Sequence, residues 1–248
     1  MTGPIFTTGT ARWLVDAYYT MQDWRIDAAN RIRSAGQDGE EPPPLVETML
    51  ERARTSEEEI KRELGAWAVH YPEGAWAQSQ YGIGPVLSAG LVAHIDIEKA
   101  PTVGHIWRFA GLDPTLQWGK GEKRPYNAKL KVLTWKIADS FVKFSGREDC
   151  VYGHFYQERK ALEVSRDEQG LFADTAKVTL ETRQIRDKAT RATYEAGRLP
   201  AGRLDLRARR WAVKLFLSHY HREAYVGRFG TEPPLPYPIA HLGHAHIR

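Results

Sequence analysis

The 248-residue sequence predicts an all-α protein, and three observations carry that prediction. Apolar residues recur at steps of three and four over most of the chain, alternating strand patterns of any length are absent, and Gly/Pro-rich breakers separate the periodic stretches. The expected organisation is an amino-terminal antiparallel helical hairpin (residues 1–75), a central helical domain (76–145), and a helical extension ending in a proline- and histidine-rich tail (146–248).

In residues 10–35, Leu14, Tyr18, Met21, Trp24, Ala28 and Ile32 form one apolar stripe on a helix. "GQDGEEPPP", from Gly36, breaks it. A second helix is expected over residues 45–67, with Met49, Ile60 and Leu64 inward and the acidic run "SEEE" outward. So short a breaker implies an antiparallel pair, a structural element that packs or self-associates. Further helices are expected at 102–110, 127–144, 151–168, 173–195 and 204–229. The tail "GTEPPLPYPIAHLGHAHIR", from Gly230, is expected to run extended over the surface.

Composition narrows the classes. An apolar fraction of 42% fits a globular chain. No stretch approaches the roughly 18 consecutive apolar residues of a membrane span. The start "MTGPIFTTGTARW" lacks the basic flank and apolar core of a secretion leader, so an intracellular, cytoplasmic protein with no membrane partner is expected. A lone Cys150 excludes an internal disulfide framework and a multi-cysteine zinc site. Thirty-five basic residues against 31 acidic give a net charge of +4, a mild bias toward anionic partners.

The stretch "YGIGPVLSAGLVAHI", from Tyr81, is the most informative. Gly82 and Gly84 can both take the positive φ of a tight turn between two short helices, and Pro85 suits a helix's first turn. Val86, Leu87, Leu91, Val92 and Ile95 then supply an apolar face, while Ala89 and Gly90 let another helix approach closely. A glycine turn at a helix N-terminus leaves backbone N–H groups pointing outward, where the macrodipole favours an anion. A phosphate can approach because glycine carries no side chain, and no base is read. Gly82, Ile83, Gly84 and Val86 are therefore candidate DNA-binding positions in a helix-hairpin-helix pattern; the same glycines also suit a plain helix–helix turn.

Taken with "RFAGLDP", from Arg108, and "KRPYNAKLKVL", from Lys123, this stretch resembles the carboxy-terminal domain of DEDD-type insertion-sequence transposases and Piv-type DNA invertases. The resemblance covers residues 81–137. It implies a helix-hairpin-helix-containing domain that binds DNA, duplex or branched, and a relationship to mobile-element recombination. Two features depart from the family. Its RuvC-like α/β domain has no counterpart in the helical first eighty residues, and no serine occurs between Ala89 and Ser140, where the family carries its nucleophile. Thr115 is the nearest hydroxyl. The resemblance therefore implies DNA binding without strand transfer, with no catalytic residue, metal or cofactor assigned.

Charge placement adds candidates. Between Gly119 and Lys136, Lys120, Lys123, Arg124, Lys129, Lys131 and Lys136 face a single acid, Glu122, in a segment that also holds Trp118. Arg203, Arg207, Arg210 and Lys214 fall on one helix face with only Asp205 nearby, a second candidate phosphate track. His219, His221, His241, His244 and His246 cluster late in the chain but lack supporting cysteines, and are read as surface or DNA-facing. Cys150 and His154 are read as members of a packed helix, and Trp107 and Trp135 as core. Asp113, before Pro114, is expected to tighten its turn, and Asp96 and Glu98 to share one side if their segment is extended. Three function classes follow: a non-catalytic DNA-binding protein, an active recombinase or metal-dependent nuclease, and a helical protein-interaction adaptor.

Overall fold

A computed structural model describes residues 6–234, and across them the chain forms ten α-helices and one 3-10 turn, with no strand. The all-α expectation holds. None of these helices is long and apolar enough to cross a membrane.

The chain opens with two long helices. α1 (Thr8–Gln37) is capped by Thr7, whose hydroxyl accepts from the Thr10 N–H, and α2 (Pro44–Ala68) begins on a proline whose fixed φ suits a first turn. They pack antiparallel. The Trp67 indole N–H donates to the Phe6 carbonyl at 2.8 Å at one end, and Arg25 pairs with Glu57 farther along.

This pair corrects three expectations. Trp24 is 56% exposed and Met49 is also exposed, whereas Glu57, expected outward, is buried beneath Arg25. Near its tip the hairpin has only two helices, so each stripe meets one partner and the small residues Ala28 and Ala53 fill the contact.

A second, tighter hairpin follows, made by α3 (Pro72–Ser79) and α4 (Pro85–His94). A 3-10 turn at Ile97–Lys99, capped by Asp96, leads to α5 (Val103–Phe109) and then to a loop over residues 110–127. Next come α6 (Ala128–Lys143), capped by Asn127, and α7 (Val151–Glu168). The single helix expected at 173–195 is two, α8 (Ala173–Thr182) and α9 (Lys188–Glu195). Arg183 is extended, and the Asp187 carboxylate accepts from the Thr190 N–H, so an N-cap intervenes where the periodicity alone continued. α10 (Ala201–Phe229) ends on Gly230 in the left-handed conformation.

α10 is the spine of the larger core. Its Phe216 stacks on Trp76 of α3 and meets Phe141 of α6 and Tyr152 of α7 edge-on, while Ile106 of α5 joins the same cluster. A second cluster joins Leu64 and Trp67 of α2 to Ala11 and Val15 of α1 and to Val86, Ala89 and Val92 of α4. α4 is thus apolar all round because it is covered all round, and burying each of its larger side chains stabilises the fold by about 1.5–3 kcal/mol. A Cβ on Gly90 would lie 2.7 Å from Leu133, so α4 and α6 touch through that glycine. The smaller cluster runs across the boundary drawn at 75/76, and the larger one crosses 145/146.

Candidate nucleic-acid interface

The α3–α4 turn is built on two glycines with different jobs. Gly82 has φ +89°, the left-handed region expected, but Gly84 has φ −84° and ψ 175°, extended backbone at the N-cap of α4. Ile83 between them is buried in the larger core, and its N–H donates to the Gln80 carbonyl at 3.0 Å. Gly82 is half-buried against α6: a Cβ there would lie 2.9 Å from Ser140 Oγ, and that hydroxyl donates to the Gly82 carbonyl at 2.6 Å. Gly84 is open. A Cβ there would meet nothing within 4 Å, and no side chain caps α4. Ile83 and Val86 have buried side chains, so only their backbone groups can reach a partner.

Arg147, which also pairs with Asp149 at 3.6 Å, packs against this turn from a distant part of the chain. Its guanidinium lies 5.0 Å from the Tyr81 ring centre, and Tyr81 in turn stands edge-on to Phe144. No spacing signal marks Arg147 in the sequence, because the contact joins residues 66 positions apart by tertiary packing.

The basic segment divides. In the 110–127 loop, Asp113 accepts from the Thr115 N–H at 2.9 Å and from its hydroxyl at 2.7 Å; these bonds hold the Asp113 carboxyl below its ordinary range. This is the turn-tightening role expected of it. Glu122, the loop's remaining acid, accepts from the Gly119 N–H at 2.7 Å. Lys120, Lys123 and Arg124 are exposed, and no carboxylate among the described residues pairs with them. Trp118 is 45% exposed and stands edge-on to Tyr126, ring centres 5.3 Å apart, with the Lys131 ammonium 4.3 Å from the Tyr126 ring. Lys129 and Lys136 serve elsewhere. Lys129 pairs with Asp16 and Lys136 sits 3.9 Å from the Tyr19 ring, so both help hold α1 against α6.

Glycine turn and basic loop lie at opposite ends of α6. The turn meets α6 at Ser140 and Phe144, whereas the loop joins it at Asn127, whose N–H donates to the Phe109 carbonyl at 2.8 Å. Thirteen residues of helix separate Asn127 from Ser140, about 20 Å at 1.5 Å per residue.

The α10 row also divides. Arg207 donates at 2.6 Å to Glu163, a fully buried carboxylate of α7 that Arg159 engages as well. Arg203 donates to Thr179 and to Tyr194, both at 3.1 Å. Asp205 was the only acid near this row in the sequence; in the fold it faces Tyr156, Lys160 and Arg209, and Glu163 supplies the partner for Arg207. The upper half of the row is therefore an internal network. Arg210 is exposed, and Lys214 lies 4.0 Å from the Trp107 ring, whose indole N–H donates to the Lys214 carbonyl at 3.1 Å. Burial lowers the Lys214 pKa, with Asp113 opposing and Arg210 reinforcing. Trp107 is part of the larger core as expected, but Trp135 is 50% exposed, with Arg209 over its ring.

The remaining candidates are dispersed. Asp96 caps the 3-10 turn and pairs with Lys99 at 2.7 Å, while Glu98 pairs with Arg228 of α10. His221 is buried with Nε2 2.8 Å from the Ala100 carbonyl, and His219 Nδ1 lies 2.7 Å from the Tyr152 hydroxyl, so neither is a free surface group. His241, His244 and His246, with most of the proline-rich tail, lie outside the described residues. Cys150 is buried, and burial raises its thiol pKa. Among the described residues no group of three or more His, Cys, Asp or Glu side chains is placed to hold a metal ion. Comparison with protein-family models, curated proteins and solved structures returned no match.

Proposed function

We propose that this protein binds DNA through the α3–α4 hairpin, contacting the phosphate backbone of duplex or branched DNA without reading bases. The observation that carries the proposal is the open approach at Gly84: α4 has no side-chain cap there, and a Cβ on Gly84 would meet nothing within 4 Å. Amides at a helix N-terminus, aided by the macrodipole, are suited to a phosphate oxygen and indifferent to sequence. Arg147 stands beside the turn, its charge shared with Asp149. Exposed Lys120, Lys123 and Arg124 would supply further contacts, and the sequence likeness to transposase carboxy-terminal domains supports the same reading. The role is proposed as binding rather than strand transfer.

Gly84→Val tests it. Valine tolerates the extended backbone found at Gly84, so the helical circular dichroism should be unchanged. Affinity for several unrelated duplexes should fall together in a gel-shift titration. Full affinity in the folded variant refutes the hairpin as the contact.

A further inference from the structure

The basic loop carries an aromatic surface that phosphate binding does not use. Trp118 is half exposed, and its one ring neighbour among the described residues, Tyr126, meets it nearly perpendicular, at 77°. That geometry supports the indole from the side and leaves ring surface available for stacking. The loop also has internal ties: Glu122 accepts from the Gly119 N–H, Gly121 adopts φ +90°, and Tyr126 lies against Gly111 and Lys131. Lys120, Lys123 and Arg124 follow Trp118 within six positions, unpaired by any carboxylate among the described residues.

An exposed indole flanked by unpaired cations has a specific chemical complement. A duplex keeps its base faces stacked on each other, so it offers cations their phosphates but offers the indole nothing. Unpaired nucleotides offer both a backbone and a free π-face. We infer that the 110–127 loop binds single-stranded DNA adjoining a duplex, Trp118 stacking on an unpaired base while Lys120, Lys123 and Arg124 hold the flanking phosphates. The inference rests on the proposal that this protein binds DNA: the loop's cations meet duplex phosphates where the substrate is fully paired, and where it offers an unpaired strand the loop takes that strand while the α3–α4 hairpin keeps the duplex. Such a division suits gapped, flapped or branched DNA, in which duplex and unpaired strand meet.

The test compares a blunt duplex with the same duplex carrying a short single-stranded overhang, whose first unpaired base is 2-aminopurine. The full-length protein should bind the overhang substrate about tenfold more tightly, within the range that one base–aromatic stack supplies. Binding should also quench the 2-aminopurine. Trp118→Ala should remove both the preference and the quench while leaving blunt-duplex affinity unchanged, and Trp118→Phe should keep part of each. Equal affinity for the two substrates, or a preference that survives Trp118→Ala, overturns the inference and leaves duplex binding standing. Tighter binding to an RNA overhang of the same sequence overturns the assignment to DNA. Failure to bind any of these substrates overturns the inference together with the proposal beneath it.

Discussion

The Ser140 hydroxyl donates a 2.6 Å hydrogen bond to the Gly82 carbonyl, fixing the glycine turn to the last turns of α6. Two of the turn's properties therefore depend on Gly82 itself: its positive φ, and the absence of a Cβ that would press on Ser140 Oγ at 2.9 Å. Gly82→Ala should destabilise the protein by about 1–3 kcal/mol, combining left-handed strain with the displaced hydroxyl. Ser140→Ala should cost about 1 kcal/mol, the ordinary value of one hydrogen bond. Urea titrations measure both, and a Gly82→Ala protein as stable as the parent would show that the turn is not held as described.

Acid sensitivity should begin well above the carboxylate range, because of His94. Burial and the charges of Arg12 and Lys129 lower its pKa to about 4, Asp16 opposing, and the Asn127 side-chain amide lies 3.4 Å from its Nδ1. A folded-state pKa below the unfolded value means that the unfolded chain takes up the proton first. His94 therefore costs no stability above pH 6.5, its ordinary pKa, and lowers stability progressively from there to about pH 4. The loss is on the order of 2–3 kcal/mol. His221, also lowered by burial, acts in the same direction. His94→Gln, which keeps an acceptor for Asn127 and has no proton to gain, should flatten this part of the profile. A parent protein whose stability is level from pH 7 to 4.5 contradicts the burial of both histidines.

Salt dependence should sort the basic residues by role. Each phosphate contact adds about 0.9 to the slope of log affinity against log salt. Replacing Lys120, Lys123 and Arg124 by serine should lower that slope by up to about 2.7 with little change in stability. Arg207→Ser should act on stability, because it strips a partner from buried Glu163, a change that typically costs 3–5 kcal/mol. Arg210→Ser should leave stability nearly intact. A slope unchanged by the triple replacement would mean that the loop's charges face solvent in the complex.

What the sequence revealed was what neighbouring residues decide among themselves. Helical periodicity is local, so the long helices were legible, and Gly82 was recognisable because so few residues adopt its backbone conformation. Ala89 and Gly90 announced a close helix approach, and Leu133 is the side chain that makes it. Periodicity names a face but not what covers it, which is why Trp24 and Met49 were expected inside. The pairing of Arg207 with Glu163 joins residues 44 apart in the chain, and spacing along α10 could not disclose it. Gly84 illustrates a different limit: glycine permits positive φ without requiring it, and here the chain takes an ordinary extended value.

The separation of glycine turn and basic loop makes α6 a ruler. Its contacts at Asn127 and Ser140 fix a spacing of about 20 Å, which on a duplex lying along the helix corresponds to about six base pairs at 3.4 Å each. On the proposed reading, a shorter duplex satisfies one end at a time, and lengthening it past that span recruits the second end without adding any new kind of contact. Affinity then rises in a step as the duplex lengthens, at a length set by thirteen residues of a helix whose own side chains need not touch the DNA.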